Sequence, residues 1–360
     1  MQKAVAHLPL HYGSAPRWLF ERMVALGREI VRVMTLEFGP EEVLRRLSDP
    51  FWFQALGCLL GFDWHSSGLT TTVCGALKEG LKGLEGDTGL LVAGGKGKRS
   101  LRTPEEIAAY GDRFGLDVDP LIEASRLVAK VDNCALQDGY QLYHHTFFFT
   151  LGGTWCVIQQ GMNPYTRYAR RYHWLSEGLD DFCCEPHKAI CCDSRGRALN
   201  LVASESEGSR RAIAKIGREE PERVLAELKP LRELSLPDRH GITAEDLQPE
   251  KLHKVLLKTY ERQPQEFREV LSTRGVGPKA LRALSLIAEL IYGEAPSFRD
   301  PARFSFAHGG KDGRPYPVDR ELYDRSIEVL KDCLWAARVG RSEKLKAMAV
   351  SYTHLTLPTN

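Results

Sequence analysis

The stretch QLYHHTFFFTLGGTWCVIQQ, residues 141–160, decides the fold class. Two runs rich in aromatic and β-branched residues, Gln141 to Thr150 and Thr154 to Gln160, flank Gly152-Gly153. Such side chains fit a pleated surface, and a glycine pair supplies the backbone freedom of a tight turn. The segment predicts an antiparallel hairpin, the clearest pair of strands in the chain. Strand alternation sends His144 and His145 to opposite faces, so the two rings do not readily share one metal ion.

Upstream of this hairpin the pattern is helical. Trp18, Leu19, Met23, Leu26 and Ile30 recur at helical spacing behind Ala15-Pro16-Arg17. Further helices are expected from Gly39-Pro40-Glu41 through Leu47, from Phe51 to Leu60, through Cys74, Leu77 and Leu81, from Thr103 with that residue as N-cap and Pro104 at the first position, and from Asp119 to Val131. Gly94-Gly95-Lys96-Gly97-Lys98-Arg99 reads as a flexible basic loop; it lacks the terminal Lys-Ser/Thr pair of a nucleotide-binding loop and suits contact with DNA instead. Leu199 to Ala203 reads as a last strand, after which helices follow one another. The expectation is an α+β chain: a mixed N-terminal domain with a small sheet, residues 1–205, and an all-helical C-terminal domain, residues 206–349. Residues 350–360, a Thr/Leu run without periodicity, read as a foreign tail.

Composition sets outer limits. At 360 residues, with 43% hydrophobic and 27% charged residues, the chain has the makeup of a soluble protein of about two domains. No apolar run approaches the roughly 20 residues of a membrane span, and the first residues lack the marks of a secretory signal, so the expected compartment is the cytoplasm, with nine cysteines held mostly as thiols. The formal charge is only +2, yet Arg274 to Lys346 holds 14 basic and 10 acidic residues, a local excess of +4. That excess permits a modest positive face.

Within that basic region lies the segment with the most functional content. In FREVLSTRGVGPKALRALSLIAELI, residues 267–291, apolar residues at 267, 270 and 271 form one helical face and those at 281, 284, 288 and 291 form another. Between them, Gly275 and Gly277 free the backbone, Val276 can plug the turn into the core, and Pro278 suits the first position of a helix. Amides at that helix start, with the positive end of the helix dipole, make a phosphate site to which Arg274, Lys279 and Arg282 add charge. Arg274, Gly275, Val276, Gly277, Lys279 and Arg282 are therefore the candidate DNA contacts, supplemented by Lys96, Lys98 and Arg99. RNA presents the same backbone charge and stays an alternative.

This pattern resembles the helix-hairpin-helix motif of DNA polymerases, ligases, nucleases and base-excision glycosylases. A wider resemblance covers nearly the whole chain. The segments LPLHYGSAPRWLFERM, LSDPFWFQALGCLLGFDWHSSGLTTTVCGALKEGL and FAHGGKDGRPYPVDRELYDRSIEVL resemble the archaeal and bacterial family known as domain of unknown function 763. The resemblance implies a two-part protein with a C-terminal helix-hairpin-helix region and a role in DNA processing or repair. Pressed further, similarity to the glycosylases places Lys279 at their lysine and Asp319 at their downstream aspartate, with 40 positions between the two. A phosphate-contacting lysine is the plainer reading of Lys279.

Other candidates come with bland counterparts. Asp63 and His65, in a polar patch beside a helix, are the preferred ligands for Mg²⁺ or Mn²⁺ and the preferred catalytic residues of a metal-dependent nuclease; capping a helix is their alternative role. Asp138, His144, His145, Glu185 and His187 complete the pool of N-terminal ligands. Cys183, Cys184, His187, Cys191 and Cys192 supply zinc-binding atoms at spacings that do not suit zinc, which favours buried thiols. Tyr165 to Trp174 interleaves cations with aromatic rings, as backbone contact and base stacking require, or as a helix with an exposed basic face. Three functions follow: a nuclease with sequence-independent backbone binding, a glycosylase or lyase, and a non-enzymatic DNA binder.

Overall fold

The computed structural model describes residues 15–62, 68–166, 168–192, 195–231 and 249–303. The chain opens with helices α1 (Arg17–Phe38), α2 (Pro40–Ser48), α3 (Pro50–Leu59), α4 (Gly68–Leu81) and the single turn α5 (Glu85–Thr88). Asp49 starts α3 by accepting the amides of Phe51 and Trp52, both at 2.8 Å. Strand β1 (Leu90–Lys96) and a 3₁₀ turn (Gly97–Arg102) lead into α6 (Thr103–Phe114) and α7 (Asp119–Lys130), which ends in one π-helical turn, Val131–Ala135. The strands β2 (Leu136–Gln137), β3 (Gln141–Thr150), β4 (Trp155–Met162), β5 (Ala169–Leu175), β6 (Ala189–Cys191) and β7 (Arg197–Asn200) come next. Helices α8 (Glu207–Ile216), α9 (Pro221–Leu231), α10 (Pro249–Arg262), α11 (Phe267–Ser272) and α12 (Pro278–Tyr292) follow, and β8 (Ser297–Arg299) is the last described element.

The fold is α+β, as the sequence predicts. Its main sheet has the order β1-β3-β4-β5-β6, with every neighbour antiparallel. The hairpin at 141–160 supplies the two strands β3 and β4, joined where Gly153 takes φ +87°. Phe147, Phe148 and Phe149 are all buried because both faces of the sheet are covered. Phe148, Leu90, Val92, Cys156 and Ile158 meet the core built with Met23, Ile30, Leu56 and Leu77 of the N-terminal helices. Phe147, Phe149, Val157, Tyr172 and Trp174 face the other core, shared with α7 and the C-terminal helices. The pleat sorts successive residues into two cores, and burying large apolar side chains on both sides stabilises the layered arrangement by roughly 1.5–3 kcal/mol for each.

A second sheet, β2-β7-β8, joins residues on both sides of position 205. The core that holds Phe147 also holds Ile213, Leu271 and Leu284, so the sheet and the helices beyond 205 bury one apolar interior together.

Several local expectations differ from the structure. Residues 169–175 form the fully buried strand β5 rather than an exposed helix or a nucleic-acid surface. The segment at 94–99 is the end of β1 and the start of a 3₁₀ turn rather than a flexible loop. Thr103 does not cap α6; its hydroxyl donates to the Ser100 carbonyl at 2.8 Å, because the 3₁₀ turn runs directly into the helix. Trp18 is 59% exposed and lies off the buried face of α1. The expected strand at 199–203 begins two residues earlier, at Arg197, and β8 adds a short strand to the region read as helical.

Candidate functional site

The segment 267–292 forms two helices joined by a tight turn. α11 stops at Ser272, and the Thr273 hydroxyl donates back to the Glu269 carbonyl at 2.8 Å. The Val276 amide then donates to the Thr273 carbonyl at 3.2 Å. Gly275 takes φ +100°, a conformation that disfavours side chains, whereas Gly277 is extended at φ −130° and a Cβ there would meet nothing within 4 Å. Only one of the two glycines is thus required by backbone conformation. Val276 is 3% exposed and plugs the turn into the core, as its place between the glycines implies.

The turn is held from below by Lys130, the last residue of α7. Its ammonium donates to the carbonyls of Leu271 at 2.5 Å, Thr273 at 2.9 Å and Val276 at 3.2 Å. Burial pushes the Lys130 pKa down, with Arg262 adding to the effect. Three carbonyls converge on one side of the turn, and in a trans peptide the carbonyl and the following amide point in opposite directions. The amides of Arg274 and Gly277 therefore face away from Lys130. Arg274 and Lys279 are exposed around this face, and the Lys258 ammonium lies 3.7 Å from where a Cβ of Gly275 would stand. Arg282 is committed elsewhere: it donates to Gln137 Oε1 at 2.7 Å, while Gln137 Nε2 donates to the Pro278 carbonyl at 3.0 Å.

Immediately after Lys130, the π-helical turn carries Asp132, which is fully buried. Its Oδ2 accepts from Gln159 Nε2 at 2.5 Å and from the Trp174 indole at 2.9 Å. Its Oδ1 pairs with His187 Nε2 at 2.5 Å. Because Gln159 donates through its nitrogen, its Oε1 accepts from His145 Nδ1 at 2.7 Å, and His145 Nε2 is left to accept the Ser125 hydroxyl at 3.0 Å. Burial holds His145 below its ordinary pKa, in keeping with a neutral ring. The donors run from Ser125 through His145 and Gln159 to Asp132, and His187 meets the other carboxylate oxygen of Asp132 from the opposite side.

A separate buried cluster lies across β5. Arg170 donates to Asp138 Oδ2 at 2.8 Å and makes a two-pronged contact with Asp300 at 2.9 and 2.7 Å. Tyr172 also donates to Asp138, at 2.7 Å. Burial pushes the Asp138 carboxyl up, against the pull of Arg170. This cluster ties β5 to the segment after β8 and leaves no charge of Arg170 for a ligand.

The remaining candidates are scattered. Asp63, His65 and Asp319, the expected metal ligands and lyase carboxylate, lie outside the described residues, as does the tail 350–360. Lys96, Lys98 and Arg99 are exposed at the end of β1 and in the 3₁₀ turn. His144 and His145 do face opposite ways: His144 Nε2 meets Thr146 Oγ1 at 3.0 Å, while His145 meets α7. Cys183 and Cys191 are buried thiols, each pushed up to about 12 by burial. The Cys192 thiol meets the Tyr140 hydroxyl at 3.1 Å, and His187 turns to Asp132 instead of a thiolate. Among the described residues no group of three or more His, Cys, Asp or Glu side chains is placed to hold a metal ion. Nor is any described helix long and apolar enough to cross a membrane.

The sequence reading missed Lys130 and Asp132. Lys130 carries only the faint signal of a cation at a helix C-terminus. Asp132 carries none, since its partner His187 is 55 positions away.

The family model described as Protein of unknown function (DUF763) matches residues 4–318. The chain belongs to this family. The match takes in both the hairpin turn and the Asp132 cluster, so the two features fall within the extent of the DUF763 model. Among curated proteins and among solved structures, none matches the chain.

Proposed function

We propose that this DUF763 protein binds the phosphate backbone of DNA through the turn between α11 and α12, without reading base sequence, and acts in DNA processing. The observation that carries this reading is the grip of Lys130 on three carbonyls of the turn, which directs the Arg274 and Gly277 amides to the opposite side. That side also presents the N-terminus of α12, a 15-residue helix whose dipole favours an anion. Exposed Arg274, Lys279 and Lys258 surround it with positive charge. Backbone amides and flexible cations recognise phosphate oxygens and carry no base information. RNA offers the same oxygens and is the competing polyanion. Metal-dependent phosphodiester cleavage with Mg²⁺ or Mn²⁺ at Asp63 and His65 is the enzymatic extension of this proposal.

Fluorescence anisotropy with labelled duplex, single-stranded DNA and RNA, over a range of salt, tests the binding. Affinity should fall steeply between roughly 50 and 200 mM salt and be indifferent to sequence. Gly277→Glu should abolish binding while the protein stays folded, since a Cβ at 277 meets nothing and the added carboxylate repels phosphate. Unchanged affinity in that variant would remove the hairpin from the interface. Preference for RNA over both DNA forms would reassign the partner.

A further inference from the structure

The positive charge around the hairpin turn continues along α10, where Lys251, Lys254, Lys258 and Arg262 are all exposed. At about 100° per residue these four positions fall within roughly 80° of arc, so they form one stripe along the helix. Leu252, Leu256 and Thr259 are buried on another side and dock α10 on the core. No described side chain forms an ion pair with any of the four cations. The acidic residues of α10, Glu250 and Glu261, lie on one flank of the stripe, so the helix sets four cations against two carboxylates.

Position ties this stripe to the turn. The Lys258 ammonium lies 3.7 Å from where a Cβ of Gly275 would stand, and Arg262 is near enough to Lys130 to add to the lowering that burial imposes on its pKa. Lys254 and Lys251 carry the stripe onward to the start of the helix. From 251 to 262 it runs roughly 17 Å, with neighbouring cations about one helical turn apart. Its straightness selects the ligand. One strand of a duplex advances about 3.4 Å per phosphate, so roughly 17 Å takes it through about five phosphates, half a turn, and carries it to the far side of the double helix. A straight stripe loses such a strand after about two or three phosphates. A single strand can be drawn out along the helix and set one phosphate against each cation, with the flexible lysine stems absorbing differences in spacing.

We propose that α10 is the track for a single-stranded DNA segment leaving the hairpin turn, so that the ligand of this protein is single-stranded DNA of at least about six nucleotides. The proposal rests on the hairpin holding the phosphate backbone. The turn amides and Arg274 take the phosphates at the hairpin, Lys258 and Arg262 flank them, and Lys254 and Lys251 extend the contact by two more. These are charge contacts to phosphate oxygens, indifferent to base identity, and each carries its own share of the salt dependence.

The test is anisotropy of the full chain with labelled oligothymidylates from about three to about twelve nucleotides, at several salt concentrations. Affinity should climb steeply up to about six nucleotides and then level off. In the double variant Lys251→Gln with Lys254→Gln the break should move to about four nucleotides, and affinity for the longest oligomer should fall roughly tenfold. The slope of log affinity against log salt should shrink by about 1.4. Arg17→Gln with Lys82→Gln removes the same charge from exposed positions in the N-terminal helical layer and should leave the length dependence as it is. All four side chains are exposed, and a wild-type melting temperature shows that each double variant stays folded. An unchanged length dependence in the α10 variant, or an equal loss in the Arg17 and Lys82 variant, overturns the track while the hairpin is judged separately by Gly277→Glu. Tighter binding of a duplex than of a single strand of equal length overturns it as well, and tighter binding of single-stranded RNA overturns the choice of DNA. Binding unaffected by Gly277→Glu but weakened in the α10 variant would overturn the hairpin reading, and with it a path that starts at the turn.

Discussion

Two segments of this protein look alike in sequence and meet opposite ends in the fold. Tyr165 to Trp174 and Arg274 to Arg282 both place cations beside apolar residues at spacings suited to a nucleic-acid surface. In the first, Arg170 and Arg171 are 1% and 3% exposed inside a central strand. In the second, Arg274 and Lys279 are exposed around a turn three of whose carbonyls, those of Leu271, Thr273 and Val276, are held by Lys130. The difference lies in where partners are found. Arg170 meets two carboxylates from residues 138 and 300, which makes burial affordable only as a complete cluster. The turn meets the Lys130 ammonium on one side, and the Arg274 and Gly277 amides point to the other.

The largest effect expected from this contrast is on stability. Arg170→Ala would strand Asp138 and Asp300 without their cation and should cost about 3–5 kcal/mol, read as a large drop in the urea midpoint. Arg274→Ala should leave that midpoint where it is. A wild-type-like midpoint for Arg170→Ala would show that the buried cluster is dispensable.

Next in size is the response to acid. Burial holds His144 down to about 3, and His145 and His173 are also lowered by burial. Below the ordinary imidazole value near 6.5 the unfolded chain takes up protons that the folded chain refuses, so stability should fall progressively as the pH drops from about 6.5 toward 3. Thermal melts across that range check the sign, and His144→Gln should flatten the slope. A melting temperature that rises on acidification would contradict neutral buried rings.

Smaller effects separate the two glycines of the turn. Gly275→Ala places a side chain at φ +100° and should cost about 1 kcal/mol, whereas Gly277→Ala should be close to neutral in a thermal melt. Equal costs would show that the turn needs glycine for a reason other than backbone conformation.

The smallest expected change is in binding alone. Arg274→Ala should reduce DNA affinity modestly and lower the slope of log affinity against log salt by about one, with no sequence dependence. An unaltered salt slope would place Arg274 outside the interface.

Local chemistry made much of this legible from residues alone. The run of Phe147, Phe148 and Phe149 beside Gly152-Gly153 specifies two strands and a turn, because pleated geometry and glycine freedom act within a few positions. The same holds for the turn at 274–278, where Val276, Gly275 and Pro278 each express a requirement of adjacent backbone. Helix starts such as Pro40 and Pro50 are equally local. By contrast, the helical reading of 165–174 failed because its aromatic and basic residues are sorted by partners far away in sequence: Asp138, Asp300, Gln54 and Thr70.

By itself, then, the sequence determined the α+β class, the central hairpin and the glycine turn between α11 and α12. The tertiary structure alone decided that β5 is interior, that Arg282 serves Gln137, that Lys130 supports the turn, and that Asp132 and His187 meet across 55 positions. The reason is physical: propensities and turns are set by neighbours along the chain, whereas buried charge is tolerated only beside a counter-charge or donor that folding brings from elsewhere.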